Sequence, residues 1–397
     1  MILREFDDIL WDFISKYSFF SDPIFLFNTD DEVDVEKILS WNLDVNYPLV
    51  DKIKNNLDIL NKDFYNIEKT FLTLDINDDF LKNQYYLRLE NIKNTIKLID
   101  IFYDKDEYLK FDLINKIFWV DLNFCKNEVF LNKQVFDDEF QYYLNKSDFY
   151  DELYKKSEKL LDKIYNANEI KKYFEEALNF LWIWDKREVL VDKNVAAIVH
   201  WDFTKDGWKI FIPYWREVNF TYLISLIIHE IDWHSRQFTN NSKIWILCPN
   251  IRTPNSEWIL EWLAIYLENA INALVFKTTK IDRTFWDFHN KILFLKKEIS
   301  LEELVNRYRW NNIFRVFRWF KNTNEYINTK DLVYLEWLYK LIKYKQKYWK
   351  WLFDTIYSWV INEQYIERNC KISNEKYYLE NYIKNTSAFY ILTKILW

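Results

Sequence analysis

Two of the four histidines in this chain bracket a glutamate, in the run His229-Glu230-Ile231-Asp232-Trp233-His234. Two imidazoles and a carboxylate in one apolar stretch are the ingredients of a zinc hydrolase: the imidazoles ligate the metal and the carboxylate takes a proton from its water. The spacing is one residue longer than the common His-Glu-x-x-His. At 3.6 residues per turn an i,i+5 pair stands about 140° apart around a regular helix, against about 40° for i,i+4, so a straight helix would aim the imidazoles in different directions. A helix that is distorted by a π-type turn, or that ends, is therefore expected between Glu230 and His234. Catalytic zinc commonly has three protein ligands and one open position, so a third ligand is needed. Glu257 and Glu261 lie i,i+4 on one face of a later helix, and spacing alone admits either. Asp232 reads as a partner of the ligands or a helix-end charge, Glu268 as a carboxylate that orients a histidine or serves the structure. His200 and His289 read as incidental.

These residues need elements to hold them. From Glu188 to Ile212 the chain is β-rich, with Asp206-Gly207 as a hairpin signal, so a small antiparallel sheet is expected before the motif. The strand Lys209 to Ile212 is expected to run beside a peptide and pair with it. A helix then opens near Asn219 to Thr221 and runs through Leu223, Leu226, Ile227 and Ile228, an apolar face that implies burial. Residues 1–180 carry apolar residues at three- and four-residue spacing and read as a helical region, with 181–397 as the catalytic region, the alternative being one continuous domain. The fold class expected is α+β, mainly helical.

The chain of 397 residues is 50% hydrophobic and 29% charged, enough for a large core. Its net charge of -7 argues against non-specific nucleic-acid binding, which needs a basic face. Cys125, Cys248 and Cys370 have no paired spacing, the first twenty residues lack a signal-peptide centre, and no run is long enough to cross a bilayer. A soluble cytoplasmic protein is expected. The chain has 1 Gly and 20 Trp, where ordinary usage would give roughly 28 glycines. Trp41, Trp215 and Trp310 sit at apparent turns or element ends. The composition therefore predicts that UGA codons for glycine have been read as tryptophan, in an AT-rich genome suited to the abundant Asn, Lys, Ile, Phe and Tyr.

With tryptophan read as glycine, Leu260 to Tyr266 becomes Leu-Glu-Gly-Leu-Ala-Ile-Tyr, which resembles the Glu-Gly-Leu-Ala motif of the tyrosine carboxypeptidase family, whose members include the microtubule-associated enzymes. His229, Glu230 and His234 match its His-Glu-x-x-x-His, Phe317-Arg318-Trp319 its Phe-Arg-Gly, and Thr329-Lys330-Asp331 with Tyr334 and Trp337 its Thr-Lys-Asp-x-x-Tyr-x-x-Gly. The match spans Phe211 to Leu341, and its main departures are tryptophans 233, 262, 319 and 337. The resemblance implies a zincin-like core, zinc on His229, His234 and Glu261, Glu230 as base, and release of a C-terminal, aromatic residue from a peptide or protein. A cation must then hold the substrate carboxylate, and Arg318, Lys330, Arg216 and Arg236 are the candidates. Tyr334 is a candidate donor to the oxyanion or wall of an aromatic pocket. The run Lys340, Lys343, Lys345, Lys347 and Lys350 reads as a basic helical face that would attract an acidic tail. An inactive binding member of the same fold, a zinc endopeptidase, and a metal-free aromatic-rich binding protein are the competing readings.

Overall fold

The computed structural model describes residues 3–183, 187–193, 200–236, 239, 254–308, 313–358 and 380–397, apart from short gaps at 21–22, 24–25, 27–34, 41–42, 44, 105, 148, 205–206, 318 and 321–322. It is mainly helical with two small sheets. The chain divides into two compact units, both discontinuous: 1–133, 245–258 and 283–337 form one, and 134–244, 259–282 and 338–397 the other. This differs from the expected boundary near residue 180, because three of the crossings fall inside continuous helices, Pro254–Phe276, Ile281–Leu295 and Leu332–Ser358, where helical periodicity marks no boundary. Among the described residues no helix is long and apolar enough to cross a membrane.

In the first unit, helices Leu3–Lys16, Leu57–Leu72 and Asp79–Asp100 bury aromatic stripes, with Phe6 edge-on to Tyr85 at 5.5 Å. The same unit holds a charged knot. Lys291, 1% exposed, contacts Asp287 at 2.9 Å and Asp331 at 3.0 Å, and Arg315 grips Asp331 through two nitrogens at 2.8 and 3.1 Å. Cys125 is a buried, unbridged thiol facing Glu336.

In the second unit, β1 (Ile164–Asn166) and β5 (Glu217–Asn219) pair antiparallel, and each delivers an asparagine to the start of a helix. Asn166 closes a capping box with Glu169 on helix Ala167–Phe180, and Asn219 accepts from the Tyr222 N–H at the start of the motif helix. The second sheet has β2 (Arg187–Asp192), β3 (His200–Thr204) and β4 (Gly207–Pro213) in the order β2-β4-β3. β3 and β4 are antiparallel as expected, with Thr204 opposite Gly207, while Asp206 of the expected turn lies outside the described residues. β2, however, runs parallel to β4, so the sheet is mixed rather than antiparallel. Alternation of side chains identifies strands but not their neighbours, and β4 takes the place between β2 and β3. The expectation that Lys209 to Ile212 pairs with a peptide fails for the same reason: β4 is bonded on both sides, and among the described residues the edges of this sheet belong to β2 and β3.

Backbone geometry bears on the tryptophans. Among the described residues five non-glycines have positive φ, and three are tryptophans: Trp119 at 57°, Trp182 at 59° and Trp319 at 87°. Trp182 follows helix Ala167–Phe180 in a Schellman turn, with the Ile183 N–H bonded to Leu178 O at 3.0 Å and its own N–H to Asn179 O at 3.1 Å. That position favours glycine, because Cβ crowds the carbonyl in the left-handed region. Trp319, in the Phe-Arg-Gly match, is buried as well. Trp215 shows no left-handed backbone, contrary to expectation, and Trp41 and Trp310 lie outside the described residues. The side chain of Trp182 is 77% exposed, so its removal forfeits little packing. Trp182→Gly is expected to raise stability by about 1 kcal/mol in chemical denaturation, and Trp182→Ala to raise it by nothing, since alanine keeps the Cβ.

Candidate metal centre

The motif helix begins as α-helix over Phe220–Leu226 and widens into a π-helix over Ile227–Ser235. This is the distortion the six-residue motif calls for. An i→i+5 backbone bond stacks residue i+5 over residue i, so His234 comes round to the side of His229. The two rings lie 5.0 Å apart, edge to face. The Ser235 hydroxyl donates to Glu230 O at 3.0 Å, five residues back, and holds the widened turn.

Glu261 arrives from helix Pro254–Phe276. Its Oε2 is 3.5 Å from His229 Nε2 and its Oε1 3.5 Å from His234 Nε2. The three groups place one ligand atom each within 4.8 Å of one another, the one such group of histidine, cysteine and acidic side chains among the described residues. Zinc at about 2.0 to 2.1 Å from tetrahedral ligands separates them by roughly 3.3 Å, close to the two 3.5 Å approaches of Glu261 to the histidines. Of the two glutamates that spacing admitted, Glu261 is thus the one seen beside both histidines; nothing of the Glu257 side chain is described.

Two antiparallel helices make this register. Ser225 and Asn272 are buried and bonded to each other at 3.0 Å, His229 faces Glu268 one turn along, and His234 faces Glu261 beyond it. Ser225 precedes His229 by four residues, and Asn272 follows Glu268 by four, so the pairs form a ladder. On another face of the glutamate helix Tyr266 donates to buried Glu139, bonds Tyr143 at 2.9 Å, and shares Glu139 with Lys345. Lys345 was expected on a solvated basic face; it is 6% exposed, turned inward to Glu139, while Lys343 and Lys347 are exposed.

The charges of the centre reinforce one another. Burial alone would push the His229 imidazole down and the Glu261 carboxyl up. The Glu261 and Glu268 carboxylates outweigh burial and hold His229 well above its ordinary value, while both imidazoles hold Glu261 well below the usual carboxylate range. Glu230, half-buried beside His229, adds its charge to this field. Asp232 turns away from the triangle: fully buried, it accepts the Ser387 and Ala388 N–H groups at 2.6 and 2.8 Å, capping helix Ser387–Leu396. Burial pushes its carboxyl up to about 6 against the pull of Arg236 and those N–H groups.

No protein-family model matches the chain, and no curated protein does. The remaining expected residues are dispersed. Arg216, half-buried, stacks on Tyr222 with its guanidinium 5.1 Å from the ring and forms no ion pair among the described residues. Arg236 faces Asp232 and Tyr382. Lys330 and Tyr334 belong to the first unit, where Lys330 lies over Phe118 and Tyr334 neighbours Arg315. Arg318 and the His200 side chain lie outside the described residues, and His289 stacks on Phe130 at 4.7 Å. Sequence reasoning missed Ser225, Asn272 and Lys280. The first two were findable as polar residues four places from His229 and Glu268 inside apolar helices; Lys280 carried no signal.

Proposed function

We propose that this chain is a zinc-dependent carboxypeptidase that releases a C-terminal aromatic residue from peptides or proteins. The observation that carries the reading is the His229, His234 and Glu261 triangle with Glu230 in the same widened turn. The motif resemblance across Phe211 to Leu341 adds to it, as does Trp319 standing in the glycine-favouring backbone of the Phe-Arg-Gly match. A zincin-like core, with a motif helix following a small sheet, and a cytoplasmic setting belong to the same proposal.

When bound, zinc supplies a Lewis acid that brings the ionisation of water close to neutral pH. Glu230 accepts the proton from the attacking water and delivers it to the departing amine. Glu261 and the two imidazoles hold the ion, and Glu268 fixes the face that His229 presents. Arg216, without a carboxylate partner among the described residues, is the group we assign to the substrate's terminal carboxylate.

Purified protein is expected to hold one zinc per chain by elemental analysis and to cleave peptides ending in tyrosine or phenylalanine. Amidated peptides should survive, and a chelator should abolish cleavage until zinc is restored. Cleavage of amidated peptides would make the chain an endopeptidase; absence of zinc would end the reading. Arg216→Met is expected to raise KM about tenfold with kcat little changed, and an unchanged KM would move the carboxylate contact to another cation.

A further inference from the structure

Behind the metal-facing side of His229 its second ring nitrogen, Nδ1, is 3.6 Å from Glu268 Oε2. The other oxygen of that carboxylate is held by Lys280 in a direct ion pair. Lys280 is itself fixed: its backbone N–H donates to Asn269 Oδ1 at 2.8 Å, and its ammonium lies 4.6 Å from the centre of the Tyr222 ring, on the first turn of the motif helix. The glutamate has only 12% of its side chain exposed, whereas the lysine has 41%. A mostly buried carboxylate with its two oxygens assigned to two different cationic or donor groups has one orientation left.

We infer that Lys280 is a positioning residue for the metal centre, acting through Glu268 on His229. The inference rests on the zinc reading of the same site. A ligating histidine aims its metal-facing nitrogen correctly only when the other nitrogen has a fixed acceptor, and loss of that acceptor commonly costs 10- to 100-fold in metal affinity. Without the ammonium, the Glu268 oxygen nearest Lys280 has no charge partner and the carboxylate turns towards water. The carboxylate then leaves its place beside His229 Nδ1, and Nε2 loses its aim at the point shared with Glu261 and His234.

The test is a competition titration of zinc against a chromophoric chelator, with the wild-type chain and the variants Lys280→Met, Lys280→Arg, Glu268→Gln and Lys280→Met/Glu268→Gln. Lys280→Met and Glu268→Gln are each expected to weaken zinc by about 10- to 100-fold. The double variant is expected to be no weaker than Glu268→Gln alone, because both changes remove one path. Lys280→Arg should restore affinity to within a few-fold. Zinc affinity unchanged in Lys280→Met, or losses that multiply in the double variant, would overturn the inference while leaving the metal site standing. A wild-type chain that binds no zinc would instead overturn the metal reading itself.

Discussion

Glu230→Gln is expected to leave zinc bound and to slow peptide hydrolysis by about 10²- to 10⁴-fold, the range supplied by a positioned general base. Glutamine keeps the shape and hydrogen-bonding ends of the side chain but cannot accept a proton. Glu230 follows His229 directly within the π-helix Ile227–Ser235, and its carbonyl receives the Ser235 hydroxyl, so the substitution leaves the backbone device of the turn in place. On the proposed zinc reading the ligand atoms are those of His229, His234 and Glu261, hence the zinc content should not change. Elemental analysis and single-turnover kinetics on the same preparation read both quantities. Hydrolysis retained at the parent rate would assign the base to another group, and zinc lost with activity would make Glu230 a ligand.

Asp331→Asn is expected to cost about 3 kcal/mol of stability, the low end for breaking a buried ion pair. Lys291 is 1% exposed and would keep Asp287 at 2.9 Å, which is why the cost stays at the low end. Arg315 would lose both contacts to the carboxylate. Burial alone would raise the Asp331 carboxyl, but Lys291 and Arg315 hold it well below the usual range. A carboxylate depressed in the folded state stabilises the fold above its unfolded value of about 3.9 and loses that contribution as pH falls below it. The stability gap between parent and variant should therefore be full at pH 7 and shrink steadily below about pH 4. A gap independent of pH would show that Asp331 acts through packing alone. The motif Thr329-Lys330-Asp331 is anchored within the first unit by its acid, through Lys291 and Arg315.

Much of the site was legible in the chain because its signals are local. The interval from His229 to His234 required a distorted helix, for a five-residue step cannot return to the same face of a regular one, and the π-helix is that distortion. Glycine scarcity pointed to tryptophans in glycine positions, and the left-handed backbones of Trp119, Trp182 and Trp319 are places where the lack of a Cβ matters. Trp215 shows the limit of that reasoning, since a turn-like neighbourhood need not have a left-handed residue.

Other features depended on which elements meet. Lys345 looked like one of five solvated lysines until its helix turned it onto Glu139. Strand Lys209 to Ile212 alternates like an edge strand yet lies between two others. By itself the amino-acid order determined the helical character, the widened motif turn and the donor types available to a metal, because each follows from residues within a few positions of one another. Tertiary structure alone decided that Glu261 faces both imidazoles, that Glu268 and Lys280 stand behind His229, and that Asp232 caps a helix more than 150 positions later. Those pairings depend on the packing of distant segments, and packing has no period that the linear order can display.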